Sequence, residues 1–258
     1  MRKGIRAAIV GIAALCFLGD AAATTVLIFV SPEEAVIAAD NLSNRIEGGQ
    51  RLVCKVAQVS EHTLFVAEGI GSTENPRFDP YELAKVASTN CRNPREAAMK
   101  YASDAMPALQ EIWRLNRSRI LDIGVGNRKR PIAQDFTFVG LTQDGLISFS
   151  GSSFVEDAAS PPRLRLDEIR EVTGEHADEI FLYKAGVIGG LPSDDEISAW
   201  IKAVGAPAAL KRAIEVQIKA APELVGGEIS VVRLRRDGSI TWVDRGVCQE
   251  RKTGLGVP

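Results

Sequence analysis

Ala21-Ala22-Ala23-Thr24-Thr25-Val26-Leu27-Ile28-Phe29-Val30 decides how this chain is read, because two patterns meet inside it. Up to Ala23 the residues are those of an export signal. From Thr24 they are the β-branched and apolar residues of a buried strand. Arg2, Lys3 and Arg6 form a positive start, and Ala7 to Gly19 is an uncharged run of 13 residues. Asp20-Ala21-Ala22-Ala23 then supplies small side chains at the two positions a signal peptidase reads. At about 1.5 Å per residue the apolar run reaches about 20 Å, short of a hydrocarbon core of about 30 Å. The pattern predicts a signal peptide over 1–23, removed after Ala23 by signal peptidase, and no permanent membrane anchor. An uncleaved anchor is the alternative. Cys16 does not make a lipoprotein site, because Leu15 before it is bulky.

Beyond the leader lie 235 residues, enough for one sizeable core, and no linker divides them. The expected organisation is one domain over 24–245 and a loose polar tail over 246–258. The whole chain carries a net charge of −2; the leader holds three basic and one acidic residue, which leaves about −4 on the rest. Lys and Arg are scattered, so nothing points to a nucleic-acid partner. Cys54, Cys91 and Cys248 follow the leader, an odd number that leaves at least one thiol unpaired or paired between chains. With His62 and His176 the only histidines and no C-x-x-C spacing, the chain offers no zinc motif.

Working outward from Thr24, the run to Val30 turns at Ser31-Pro32-Glu33-Glu34 and returns over Ala35–Ala39, a hairpin. Arg51–Val59 and Thr63–Ala67 read as the next strands, with Gly69-Ile70-Gly71-Ser72 as a corner. Asp79–Ala87 predicts a short helix. Asn93-Pro94-Arg95-Glu96 starts a longer one to about Leu115, kinked or divided at Pro107. Hairpins follow at Phe136–Phe149 and Glu228–Val243, with a strand over Ile180–Val187 between them. Helices are expected after Ser193 and over Pro207–Ala221. Hairpins imply antiparallel pairing. Strands, helices, strands, helices, strands is an α+β order, most economically a four-layer αββα sandwich with two antiparallel sheets between helical layers.

Thr24, Asp40, Lys55 and Gly69 stand out as a set. Asp40 follows Thr24 by sixteen positions, Lys55 follows Asp40 by fifteen, and Gly69 follows Lys55 by fourteen. Taken singly, each has an ordinary reading: a strand residue, a strand-end turn, a snorkelling lysine and a corner glycine. Together, the runs Thr24-Thr25-Val26, Val36-Ile37-Ala38-Ala39-Asp40, Cys54-Lys55-Val56 and Ala67-Glu68-Gly69 resemble β-type proteasome subunits and their bacterial ring-forming relatives. Those are N-terminal-nucleophile hydrolases of the αββα fold. The family spaces its Lys sixteen after its Asp, so one loop residue is missing here.

The resemblance implies a hydrolase of amide bonds, most simply peptides, and self-assembly into a homo-oligomer. A threonine hydroxyl needs a base, and a chain-terminal threonine carries one in its α-amine. Lys55 would lower the amine's proton affinity and steady the Thr24 oxygen, Asp40 would orient Lys55, and the Gly69 N–H would meet the oxyanion. The same carry-over puts Val53, Ala57 and Ala67 around an apolar substrate pocket. No metal or organic cofactor is called for. The family's second cluster, an Asp and a Ser before a Gly-Gly pair, falls on Pro222 and Val225 before Gly226-Gly227. That departure keeps a non-catalytic structural or binding protein open as the alternative.

Overall fold

The structure is a computed structural model that describes residues 19–21, 25–45, 49–74, 76–122, 131–157, 161–174, 181–186 and 189–248. Its first strands are β1 (Gly19–Ala21), β2 (Thr25–Val30), β3 (Glu34–Asp40), β4 (Leu42–Arg45) and β5 (Gln50–Leu52). Then come β6 (Val56–Ser60), β7 (Thr63–Glu74) and β8 (Arg77–Phe78), helices α1 (Pro80–Ser88) and α2 (Pro94–Asp122), and β9 (Ile132–Leu141) and β10 (Ile147–Asp157). The remainder is β11 (Arg163–Leu166), β12 (Arg170–Thr173), β13 (Phe181–Gly186), α3 (Asp194–Val204), α4 (Ala206–Ala220), β14 (Ile229–Arg235) and β15 (Ile240–Asp244). This is a mixed α/β chain in which the described strands pair antiparallel.

Five strands form one sheet in the order β13-β2-β3-β14-β15. A larger sheet runs β11-β10-β9-β7-β1-β4-β5, with β6 and β8 also on β7 and β12 on β10. Side-chain alternation divides the core. Val26, Ile28 and Val30 join Leu64, Val66, Val139 and Phe149 in a cluster drawn from both sheets. Leu27 and Phe29 pack instead with Leu210 and Ile214 of α4. On the other sheet, Phe65, Phe136 and Phe138 meet Tyr101, Leu109 and Trp113 of α2.

The helix starts follow from their caps. Asp79 accepts the N–H groups of Tyr81 and Glu82 at 2.9 and 3.3 Å, and Asn93 accepts that of Glu96 at 2.9 Å. Ser193 and Glu196 form a reciprocal capping box. Pro107 does not divide α2, which runs unbroken for 29 residues to Asp122. Apolar packing of Ala105, Leu109, Ile112 and Trp113 on the sheet outweighs the one backbone bond a proline removes.

Two further expectations are corrected. Arg51–Val59 is not one strand, because Val53–Lys55 leave the ladder between β5 and β6. The corner at Gly69–Ser72 is instead the middle of the 12-residue β7. The site lies where the chain changes sheets: β3 ends at Asp40 in the smaller sheet, Asn41 crosses, and β4 begins at Leu42 in the larger one.

Candidate active site

Asp40 is fully buried at that crossing, and four donors converge on its carboxylate. One oxygen accepts the Thr25 N–H at 2.8 Å and Lys55 Nζ at 3.1 Å. The other accepts the N–H groups of Leu42 at 3.2 Å and Gly226 at 3.1 Å. Lys55 is 1 % exposed and also donates to the Leu42 carbonyl. Burial pushes the Lys55 ammonium below its usual value; the neighbouring Asp40 carboxylate, and after it Glu68, push the other way.

The structure thus brings Asp40 and Lys55 together as a buried ion pair and ties the pair to the amide of Thr25. Thr24 itself lies outside the described residues. Gly69 sits on β7 opposite Gln134 with φ of +89°, a conformation glycine adopts freely. A β-carbon there would fall 2.4 Å from the Ala133 carbonyl oxygen. The crowding that requires glycine therefore comes from strand β9. Of the expected pocket, Ala57 and Ala67 share the helix-side cluster with Phe65 and Tyr101, whereas half-buried Val53 lies on the irregular segment before Lys55.

Several participants were not anticipated. Glu68 is 5 % exposed and close enough to act on Lys55; its place on the inward parity of Leu64 and Val66 could have flagged it. Gly226 supplies a backbone donor to Asp40 from the segment where the sequence offers no hydroxyl. Asn41 and Ser230, both fully buried, hydrogen-bond side chain to side chain at 3.1 Å. Cys54, next to Lys55, is joined to Cys248 by a disulfide, which leaves Cys91 as the free thiol among the described residues. The tail from Arg245 to Cys248 is therefore anchored, and the expectation of a loose end fails for those residues. Among the described residues no group of three or more His, Cys, Asp or Glu side chains is arranged to hold a metal, and no helix is long and apolar enough to cross a membrane.

Comparison with known proteins corrects the family expectation. No protein-family model matches the chain, and no curated protein matches it. Among solved structures it is similar to a Gly-1 mutant of Anbu from Hyphomicrobium sp. strain MC1, with 14 % identity, a TM-score of 0.49 and 84 % of each chain covered. That likeness is too distant to support membership, so the expected place among proteasome β-subunits does not stand, and the functional reading rests on the geometry around Asp40 and Lys55.

Proposed function

We propose that the chain is an exported threonine-type amide hydrolase acting on extended peptides, with Thr24 as nucleophile once the leader is cut after Ala23. The observation that carries this reading is the buried Lys55–Asp40 pair, hydrogen-bonded to the N–H of the residue directly after Thr24. With Thr24 first in the chain, its α-amine accepts the hydroxyl proton and Oγ attacks the substrate carbonyl. The Lys55 charge disfavours a second ammonium beside it, which keeps the amine a base. Gly69 N–H meets the oxyanion, an ester forms as the amine leaves, and water releases the acyl group.

Strand β1 supports the substrate class. Gly19–Ala21 pairs with β4 on one side and β7 on the other, Ala21 standing opposite both Asn44 and Ile70. Removal of the leader vacates that place and leaves two strand edges facing each other. An extended peptide recovers both sets of backbone hydrogen bonds, the usual basis of strand addition. The disulfide supports an oxidising compartment, because such bonds are rare in the cytosol. The three apolar clusters support the finer architecture of two sheets enclosed by helical layers. Signal peptidase acts in maturation, and assembly of like copies is part of the proposal.

A second reading, a binding protein without turnover, is favoured by Pro222 and Val225, which bring neither carboxylate nor hydroxyl to the Gly226 segment. One experiment separates the two. Protein trimmed to begin at Thr24 is incubated with a peptide epoxyketone and analysed by mass spectrometry. A stable adduct on Thr24 that disappears in Thr24→Ala is expected; a folded, correctly trimmed sample that takes no label overturns the hydrolase reading.

A further inference from the structure

We propose that the Cys54–Cys248 disulfide is a redox-controlled clamp that holds Lys55 against Asp40, so that the site is assembled only in the oxidised chain. The clamp is a property of the buried pair; its effect on activity rests on the hydrolase reading above.

Lys55 is the last of three residues that leave the strand ladder, Val53–Lys55. Val53 N–H donates to the Asn41 carbonyl at 2.8 Å, and the ladder resumes only at Val56. The middle residue of this segment is Cys54, cross-linked to a residue 194 positions later. Cys248 is itself held down: its N–H donates to the Arg245 carbonyl at 2.7 Å, and that carbonyl also accepts the Ser230 hydroxyl at 2.8 Å. Ser230 in turn accepts from Asn41 Nδ2 at 3.1 Å. Asn41 is the neighbour of Asp40. The connections close a circuit from Lys55 through Cys54, Cys248, Arg245, Ser230 and Asn41 to Asp40, and across the ion pair to Lys55.

A second feature shows how tightly the tail is pressed onto this wall. Gly246 has φ of +50°, and a β-carbon there would lie 2.5 Å from Asn41 Nδ2 and 3.0 Å from Ser230 Oγ. Only glycine lets the turn approach so closely, and the disulfide two residues on fastens it. Reduction breaks the S–S bond, and a dithiol donates two electrons and two protons to give two thiols while becoming a disulfide itself. The tail is then free to lift from Asn41 and Ser230, and Val53–Lys55 loses its covalent tether. Reoxidation by a disulfide such as oxidised glutathione reverses both changes. Cys54 is half-buried, so exchange can begin there, and Cys91 lies on a different part of the fold between α1 and α2.

The test uses the chain trimmed at Thr24, in a Cys91→Ser background that leaves the site untouched, with and without dithiothreitol. Lys55 acylation by an amine-reactive ester is quantified by mass spectrometry against exposed Lys202, alongside epoxyketone labelling of Thr24. Reduction should raise the relative Lys55 acylation at least tenfold and lower the Thr24 labelling rate at least tenfold, both restored by oxidised glutathione. Cys54→Ala/Cys248→Ala should behave as reduced whatever the reagent. The clamp is overturned if Lys55 stays shielded in the reduced chain. It is also overturned if near-ultraviolet circular dichroism shows the reduced chain unfolded, since the bond is then a general staple. If neither redox state takes the epoxyketone, the hydrolase reading fails, and Lys55 acylation alone decides the clamp.

Discussion

Removing the charge from Asp40 should cost far more than removing it from Lys55, because the two partners are supported unequally. The Asp40 carboxylate accepts four donors, two on each oxygen. In Asp40→Asn one oxygen becomes an amide nitrogen, which must turn its own hydrogens toward two of those donors. Two charge-assisted bonds are lost, at roughly 1.5–3 kcal/mol each, for a total of about 3–6 kcal/mol. The figure agrees with the roughly 3–5 kcal/mol expected when a buried pair loses one member. In Lys55→Met the carboxylate keeps the N–H groups of Thr25, Leu42 and Gly226, and the methionine stem refills the space. The expected cost is therefore below the roughly 3–5 kcal/mol of a buried pair whose remaining charge has no other partner. The double variant should cost no more than Asp40→Asn alone, since the orphaned ammonium is gone. Urea unfolding of the oxidised proteins at pH 7, extrapolated to water, measures all three. If Lys55→Met costs as much as Asp40→Asn, the backbone donors are not holding the carboxylate and the reasoning is wrong.

Stability should also rise with pH in an interval set by Lys55. Its pKa in the fold lies below the unfolded value, burial being the larger cause. Between the two values the folded chain binds fewer protons than the unfolded one, so the unfolding free energy increases as pH rises through the lowered pKa towards about 10.4. Subtracting Lys55→Met data collected over the same range isolates this slope, and a falling difference would contradict it. Gly69→Ala should destabilise by about 2–4 kcal/mol, combining a positive-φ penalty with a backbone overlap. Thermal unfolding reads this directly, and a change within about 0.5 kcal/mol would show that β9 yields at Ala133.

The hairpin Thr25–Asp40 and the helix starts at Asn93 and Ser193 were legible because each depends on a local pattern: apolar, β-branched runs either side of a turn, or a cap three residues from an acid. Asp40 and Lys55 were legible as a pair only through the resemblance that sets them with Thr24 and Gly69, because singly they read as a strand-end turn and a snorkelling lysine. What the sequence could not show was long-range. Gly226 reaches Asp40 across 186 positions and Cys248 reaches Cys54 across 194, and neither partner has a local signature. Gly69 was found for an incomplete reason: the resemblance marks it for the oxyanion, but the crowding by β9 that requires glycine there has no local sign. The break at Val53–Lys55 was hidden because it sits between apolar, β-branched residues that read as one strand, and tertiary links at Cys54 and Lys55 override that pattern.

Stability alone does not account for the Asp40–Lys55 pair. Burying both charges costs several kcal/mol per ion before their attraction and hydrogen bonds offset it, and apolar residues of similar volume often do as well. Here the neighbouring layer is already apolar, with Val26, Val56 and Val66 within the same inter-sheet cluster. A methionine–leucine replacement would extend that cluster, but it would leave the N–H groups of Thr25, Leu42 and Gly226 without their acceptor, at about 1–3 kcal/mol each. The chain instead holds Asp40 with two backbone N–H groups beyond the Thr25 N–H and the Lys55 ammonium, and places Glu68 near enough to favour the ammonium. Such support serves to keep a charge in one position beside the N–H of Thr25. Under the proposed cleavage after Ala23, a fixed positive charge there would depress the new amine's proton affinity, a use that it lacks in packing. If the double replacement Asp40→Leu/Lys55→Met gave a chain that still folds yet takes no epoxyketone on Thr24, stability and function would be separated at this pair. A double variant that labels normally would mean that the charge serves the fold after all.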